Sequence, residues 1–294
     1  MKDQKRIWAV IGLTAVTAVW GAAFVLMKDA LERQPVNDFL ATRFAIATLI
    51  LITIRPKVLK EINLKMLKVA VPLGLLLTLG YITQSSGLTH STAAITGFVT
   101  GLYVIFTPLL SAIFLKKVIT KIEWAGVFVA TIGLGLLSLR GWAIGFGEFL
   151  TLLCALFFAL HIIGLGEWSS RFATYPLTVV QLGTVAIFTG IAGFSNGYVS
   201  PPDSEVWKAI LITALFATSA GFLIQTWAQS HMDATAVAVI LTLEVVFAAL
   251  VSVIAGQETL TARTLTGGAL IVFAMIAMQL NPKYYLARFS DKKL

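Results

Sequence analysis

Charge is scarce in this sequence. Only 12% of its 294 residues are Asp, Glu, Lys or Arg, against roughly 25% in soluble domains, which argues against a water-soluble fold. Cysteine is nearly absent. The single Cys154 can form no intramolecular disulfide, so cysteine usage gives no redox compartment. The three histidines, His90, His161 and His231, share no i,i+3 or i,i+4 spacing and lie far from Cys154, so they do not read as a metal site. A Gly-rich phosphate loop ending in Lys and Ser/Thr is missing, which leaves direct ATP-driven pumping without support. No span carries the acidic pair of an intramembrane aspartyl protease or a convincing Ser-His arrangement for a serine one, so an enzyme is not expected. A phosphorylated dianion would want two or more buried cations. Only Arg43 is available, which argues against sugar phosphates and nucleotide sugars.

Apolar residues supply the rest, at 58% with a mean hydropathy of +0.89. They form runs of about 18–22 residues, the length that crosses a bilayer core as helix. In lipid the backbone must satisfy its own hydrogen bonds, by helix or closed barrel. The runs are continuous rather than alternating, which excludes the barrel. The expected fold is an all-α integral membrane protein with ten transmembrane helices. The first five cover roughly 7–27, 37–54, 67–88, 92–115 and 122–139. The second five cover roughly 147–167, 175–195, 206–229, 233–255 and 263–280. The opening MKDQKR and its apolar run are read as a retained first helix rather than a signal peptide. Pro201-Pro202 mark the longest connection, around Asn196 to Glu205, as a surface loop.

The net charge of +8 does not imply nucleic acid, because Lys and Arg sit at the ends of apolar runs. With ten spans, sixteen of these cations fall on one side, among them Lys5, Lys57, Lys117 and the tail residues Lys283, Arg288, Lys292 and Lys293. Five fall on the other: Lys28, Arg33, Arg140, Lys208 and Arg263. That bias places both termini in the cytoplasm.

The chain also repeats itself. Gly80 to Phe114 and Gly221 to Ala255 align without a gap at an offset of 141, pairing Gly80/Gly221, Gln84/Gln225, His90/His231 and Ala93/Ala234. Leu102/Leu243, Val104/Val245, Phe106/Phe247, Ser111/Ser252 and Ile113/Ile254 continue the register, and Tyr103 falls opposite Glu244. Earlier in each half an offset of 138 sets Trp20-Gly21 against Phe158-Ala159, Ala23 against His161 and Arg43 against Gln181. The reading is a duplication with halves 1–140 and 141–294. Five spans is an odd number, so the second copy enters the membrane from the opposite side. Inverted repeats recur in secondary transporters, where antiparallel halves expose a central site alternately.

These residues resemble the drug/metabolite transporter superfamily, specifically the EamA-like ten-span carriers, over about 7–280. The likeness is carried by Trp20-Gly21, Arg43-Phe44, Gly80-Tyr81 leading to Pro108, Gly126 with Gly133, Glu244, and Gly256-Gln257-Glu258. Val245 follows Glu244 where the family often has proline, and Lys116-Lys117 replace an acidic residue common after the fourth span. The resemblance implies a multi-pass carrier of the bacterial inner membrane, commonly an exporter of amino acids or related small metabolites.

Ionisable groups inside a membrane are costly and face a cavity or a partner. Glu244, near the middle of the ninth span, is the sharpest candidate: it could bind a substrate amine or exchange a proton, and a structural glutamate bonded to a neighbouring helix is the other reading. His161 is a titratable candidate, with a packed neutral histidine as the alternative. Gln84 and Gln225 need partners, either a polar cavity or a braced helix pair. Trp20 and Tyr103 combine bulk with a donor and are expected on a cavity wall or in packing. His90 and His231 are expected at span ends without chemistry, and Arg43 is expected to snorkel or pair with Asp38. Trp8, Trp124 and Trp207 are placed in the interfacial belt. Gly97 to Gly101 and Gly126 to Ala130 let helices approach closely. No cofactor is expected beyond coupling to protons. The partners expected are a small-molecule substrate and membrane lipids, with a monomer as the unit and a homodimer as its alternative. The polar set suits a neutral, cationic or zwitterionic solute moved by alternating access. A translocator of lipid or lipid-linked metabolites with the same fold is the second reading.

Overall fold

A computed structural model describes residues 2–91, 93–138, 145–254 and 261–279. Arg140, Gly256-Gln257-Glu258, the basic tail and the junction between the halves lie outside them. Among the described residues there is no strand. Within the described residues eight helices are long and apolar enough to cross a membrane: Gln4–Arg33, Val36–Ile54, Leu64–His90, Ile95–Leu115, Phe146–Arg171, Thr174–Ser195, Ser204–Gln229 and Ala234–Val251. Two further helices, α7 (Lys121–Ser138) and α14 (Ala262–Gln279), pack on each other. A Cβ on Gly133 of α7 would lie 2.7 Å from the Gly267 carbonyl oxygen of α14, so glycine sets this approach.

The first half begins with α1 (Lys2–Arg33), α2 (Val36–Ile54), the short α3 (Val58–Glu61) and α4 (Leu64–His90). It continues through α5 (Ala93–Gly101) and α6 (Tyr103–Leu115) to α7. The second half has α8 (Phe146–Trp168), α9 (Thr174–Ser195), α10 (Ser204–Ile212), a π-helical stretch Thr213–Ala220, α11 (Gly221–Gln229), α12 (Ala234–Leu241), α13 (Leu243–Ile254) and α14. Helix packing comes in matched sets: α1 meets α13 as α8 meets α6, and α1 meets α11 as α8 meets α4. The central segments α2 and α9 pack on each other.

Apolar side chains with no polar cover, such as Ile54, Phe114, Phe128, Ile187 and Phe194, form the outer surface, as a lipid-facing bundle requires. Hydroxyls inside the spans bond back to their own helix, as in Thr48 to Phe44, Thr78 to Gly74 and Thr189 to Val185. That local bond removes the cost of a bare hydroxyl in an apolar setting.

Two irregularities shape the centre. The fourth and ninth segments each break halfway, at Leu102 between α5 and α6 and at Thr242 between α12 and α13. Val245 N–H donates three residues back to the Thr242 carbonyl at 3.1 Å, so this break forms without a proline at position 245. The eighth segment widens over Thr213–Ala220, a π-helical stretch of the kind that frequently marks functional sites.

Candidate functional site

Helical periodicity aims four sets of side chains at one central space. Trp20, Ala23, Phe24 and Met27 recur at three- and four-residue steps on α1, as do Leu77, Tyr81 and Gln84 on α4 and Phe158, His161 and Ile162 on α8. Phe222 and Gln225 come from α11. The two breaks deliver Tyr103 at the start of α6 and Glu244 at the start of α13. Together with Arg43 and Leu241 these residues border a cavity between the two halves. All six candidates, Trp20, Gln84, Tyr103, His161, Gln225 and Glu244, line this one cavity.

The walls are aromatic. Tyr81 sits at the middle, its ring centroid 5.0 Å from Phe44, 5.4 Å from Phe158 and 6.0 Å from Phe222. Trp20 lies 5.4 Å from Phe222, and its Nε1 donates to the Ala217 carbonyl of the π stretch at 2.7 Å. Such faces accept a cation or another ring.

Charge enters from two residues. The Glu244 carboxylate borders the cavity with no hydrogen bond or ion pair among the described residues, and it feels the attraction of Arg43. Arg43 is 1% exposed. Its Nε donates to Thr218 Oγ1 at 2.8 Å and its Nη1 to Met27 Sδ at 2.7 Å. Its guanidinium carbon lies 5.4 Å from the ring centroids of both Phe44 and Tyr81. The Tyr81 hydroxyl also bonds the guanidinium; five N–H donors still exceed these three acceptors, so the guanidinium keeps capacity for a ligand.

This placement corrects the expectation for Arg43. The side chain neither snorkels nor pairs with Asp38, whose Oδ2 instead accepts the Val199 N–H at 2.9 Å. Arg43 lies seven residues beyond the start of α2, about 10 Å into the helix at 1.5 Å per residue, and points inward between Phe44 and Tyr81. Tyr81 and Phe222 went unremarked as wall residues. The available signal was their pairing at offset 141, each directly after a paired glycine.

The polar candidates are satisfied unequally. His161 Nε2 bonds Gln181 Oε1 at 2.8 Å, which orients the ring. Gln84 Nε2 reaches Thr100 Oγ1 at 3.4 Å, and Gln225 Nε2 donates to Gln229 Oε1 at 3.1 Å. His90 and His231 lie outside the cavity. Their Nδ1 atoms bond the carbonyls four residues back, Ser86 at 2.8 Å and Trp227 at 2.9 Å, so both finish helix ends. Among the described residues no group of three or more His, Cys, Asp or Glu could hold a metal ion.

Comparison with known proteins agrees with this architecture. The profile of the EamA-like transporter family matches twice, over residues 7–139 and 145–279. An uncharacterized transporter of Archaeoglobus fulgidus is 35% identical over 281 residues, covering 94% of this chain and 87% of its own. A pseudopaline exporter of Pseudomonas aeruginosa is 27% identical over 264 residues, covering 88% of this chain and 91% of its own. One solved crystal structure superposes with a TM-score of 0.78 at 17% identity, covering 92% of this chain and 96% of that one. At that identity the likeness speaks for the fold alone. With the family profile covering both halves, the chain belongs to the EamA-like transporter family of drug/metabolite transporters.

Proposed function

We propose that this transporter exports small organic metabolites, such as amino acids and related neutral, cationic or zwitterionic compounds, by alternating access in a bacterial inner membrane. The observation that carries the proposal is the central cavity, where the fully buried Arg43 and the unbonded Glu244 carboxylate lie among aromatic walls. A solute with an amine would set it against Glu244 and the ring faces. A solute carboxylate would take the spare donors of Arg43, for which a planar fork is suited. The pair of opposite charges suits a compact polar solute that meets both groups at once.

Alternation between two inverted five-helix repeats, with ten spans and both termini cytoplasmic, is the mechanism we assign. The two family matches, the ungapped pairing of Gly80–Phe114 with Gly221–Ala255, and the matched sets of helix contacts support it. The pseudopaline exporter among the relatives supports the outward direction. Glu244 is the group proposed to exchange a proton with the solute as the cavity alternates.

Counterflow by purified protein in liposomes, against a panel of amino acids, polyamines and aromatic cations, tests the substrate class. Glu244→Gln should abolish pH-gradient-driven flux while the protein still assembles. Counterflow confined to lipids would overturn the solute reading, and undiminished proton-driven flux in Glu244→Gln would overturn the proton role.

A further inference from the structure

A second cavity opens at the end of the bundle where α1 begins, bordered by Arg6, Ser170, Gln229, His231 and Asp233. Its lining is polar, unlike the aromatic centre. Between the two cavities stands a short ladder of amides. Gln225 borders the central cavity and donates from Nε2 to Gln229 Oε1 at 3.1 Å; Gln229 borders the second cavity and donates from Nε2 to the Ile162 carbonyl at 2.7 Å. The ladder thereby ties α11 to α8.

Two observations separate this arrangement from ordinary helix bracing. Both glutamines are 2% exposed, yet Gln225 Oε1 has no partner. A buried amide oxygen left bare is uncommon and calls for an explanation; a solute or a second arrangement of the bundle would supply its missing donor. The duplication provides the other observation. At offset 141 Gln225 corresponds to Gln84, but Gln229 corresponds to Leu88, and at offset 138 Ile162 corresponds to Phe24. Leu88 and Phe24 belong to one apolar cluster. The repeat therefore keeps the inner amide in both halves and makes the outer one polar at only one mouth.

We propose that the Gln225–Gln229–Ile162 ladder is the closed gate on the translocation path, and that the polar cavity behind it is an outer binding site for the same hydrogen-bonding solute. A passing solute offers donors and acceptors that replace the ladder's own, so the gate parts for polar cargo and stays shut when none is present. This rests on the central cavity being the substrate site.

Accessibility without substrate tests the gate. In a Cys154→Ala background, Ala23→Cys places a thiol on the central cavity, and a membrane-impermeant maleimide is applied to sealed vesicles of either orientation. The parent should label slowly from the face that bears Arg6. Gln229→Met, which keeps the volume and loses the bonds, and Gln229→Ala should both label about tenfold faster from that face alone, the shift expected for losing two such hydrogen bonds. Rates unchanged in both variants, rapid labelling of the parent from that face, or equal acceleration from both faces would overturn the proposal. Because no solute is added, a wrong substrate class leaves these rates untouched. Failure of the central-cavity reading would show separately, as counterflow that survives full modification of Ala23→Cys.

Discussion

Gly21 lies directly against the backbone of Glu244. A Cβ on Gly21 would stand 2.6 Å from the Glu244 carbonyl oxygen and 2.6 Å from the Ala248 amide nitrogen. Both are main-chain atoms with nowhere to go, so the approach of α1 to α13 needs glycine at this position. That contact fixes the separation of Trp20 and Glu244 on the cavity wall.

Gly21→Ala should therefore prise α1 from α13. Overpacking of this kind costs about 1–3 kcal/mol. The melting temperature in detergent should fall, and transport should fall with it because Glu244 is displaced. A variant with parental stability and parental flux would show that the two helices have slack.

Arg43 and Glu244 should divide a zwitterionic substrate between them. Arg43→Gln removes the charged fork but keeps a donor, and a charge-assisted hydrogen bond is worth about 1.5–3 kcal/mol. The kcat/KM for an amino acid should drop about tenfold or more, while that for the corresponding decarboxylated amine changes little. Arg43→Lys should recover part of the loss, since it restores charge without bidentate geometry. Competition assays with the paired substrates read this directly; an equal loss for both would assign Arg43 to bracing α2 against Thr218 rather than to the solute.

The sequence carried more of the scaffold than of the cavity floor. Apolar run length anticipated the eight helices long enough to cross a membrane, because a bilayer admits few alternatives, and it also anticipated helices at α7 and α14. The paired histidines were visible, and their shared bond to the carbonyl four residues back explains why both copies keep one. The paired glycines were visible too: a Cβ on Gly80 would meet the Phe158 ring at 2.3 Å, and one on Gly221 would meet Trp20 Nε1 at 2.9 Å. Each glycine thus seats the aromatic of the matching helix. Arg43 was misjudged because composition gives the depth of a cation along a helix but not the face it occupies. The π stretch was invisible, since Thr213–Ala220 has the composition of any buried helix.

Outside the spans, Asp203 joins α10 to the end of α1. Its Oδ1 accepts the Val206 and Glu205 N–H groups at 3.0 and 2.9 Å, and its Oδ2 takes Arg33 Nη1 at 2.6 Å. The backbone bond from Val206 leads in holding this carboxyl below its usual value, with Glu205 and Arg33 adding to it. A depressed folded value means the stabilisation is complete above the unfolded pKa and is lost as pH falls through the folded one. Asp203→Asn keeps a capping oxygen without the charge. The melting advantage of the parent over Asp203→Asn should be constant near neutrality and shrink on acidification below the ordinary carboxylate range. An advantage that does not change with pH would remove the ionised carboxylate from the account.

A tryptophan donates to the π stretch. A π turn exchanges i+4 for i+5 backbone bonds, and here side-chain donors add to two of its carbonyls. Trp20 Nε1 supplies Ala217 O, while Ser219 Oγ lies 2.8 Å from Ala214 O and 3.1 Å from Ala47 O. Trp20→Phe keeps the ring against Phe222 but deletes the donor, which should cost about 1 kcal/mol. The loss should be local. Hydrogen exchange over Thr213–Gly221 should quicken while exchange in α7 and α14 stays at the parental rate. Since Thr218 on the same stretch holds Arg43, the variant should also weaken carboxylate recognition in the direction of Arg43→Gln. Parental exchange across Thr213–Gly221 in Trp20→Phe would mean that the π register is set by packing alone, and that the indole serves only as cavity wall.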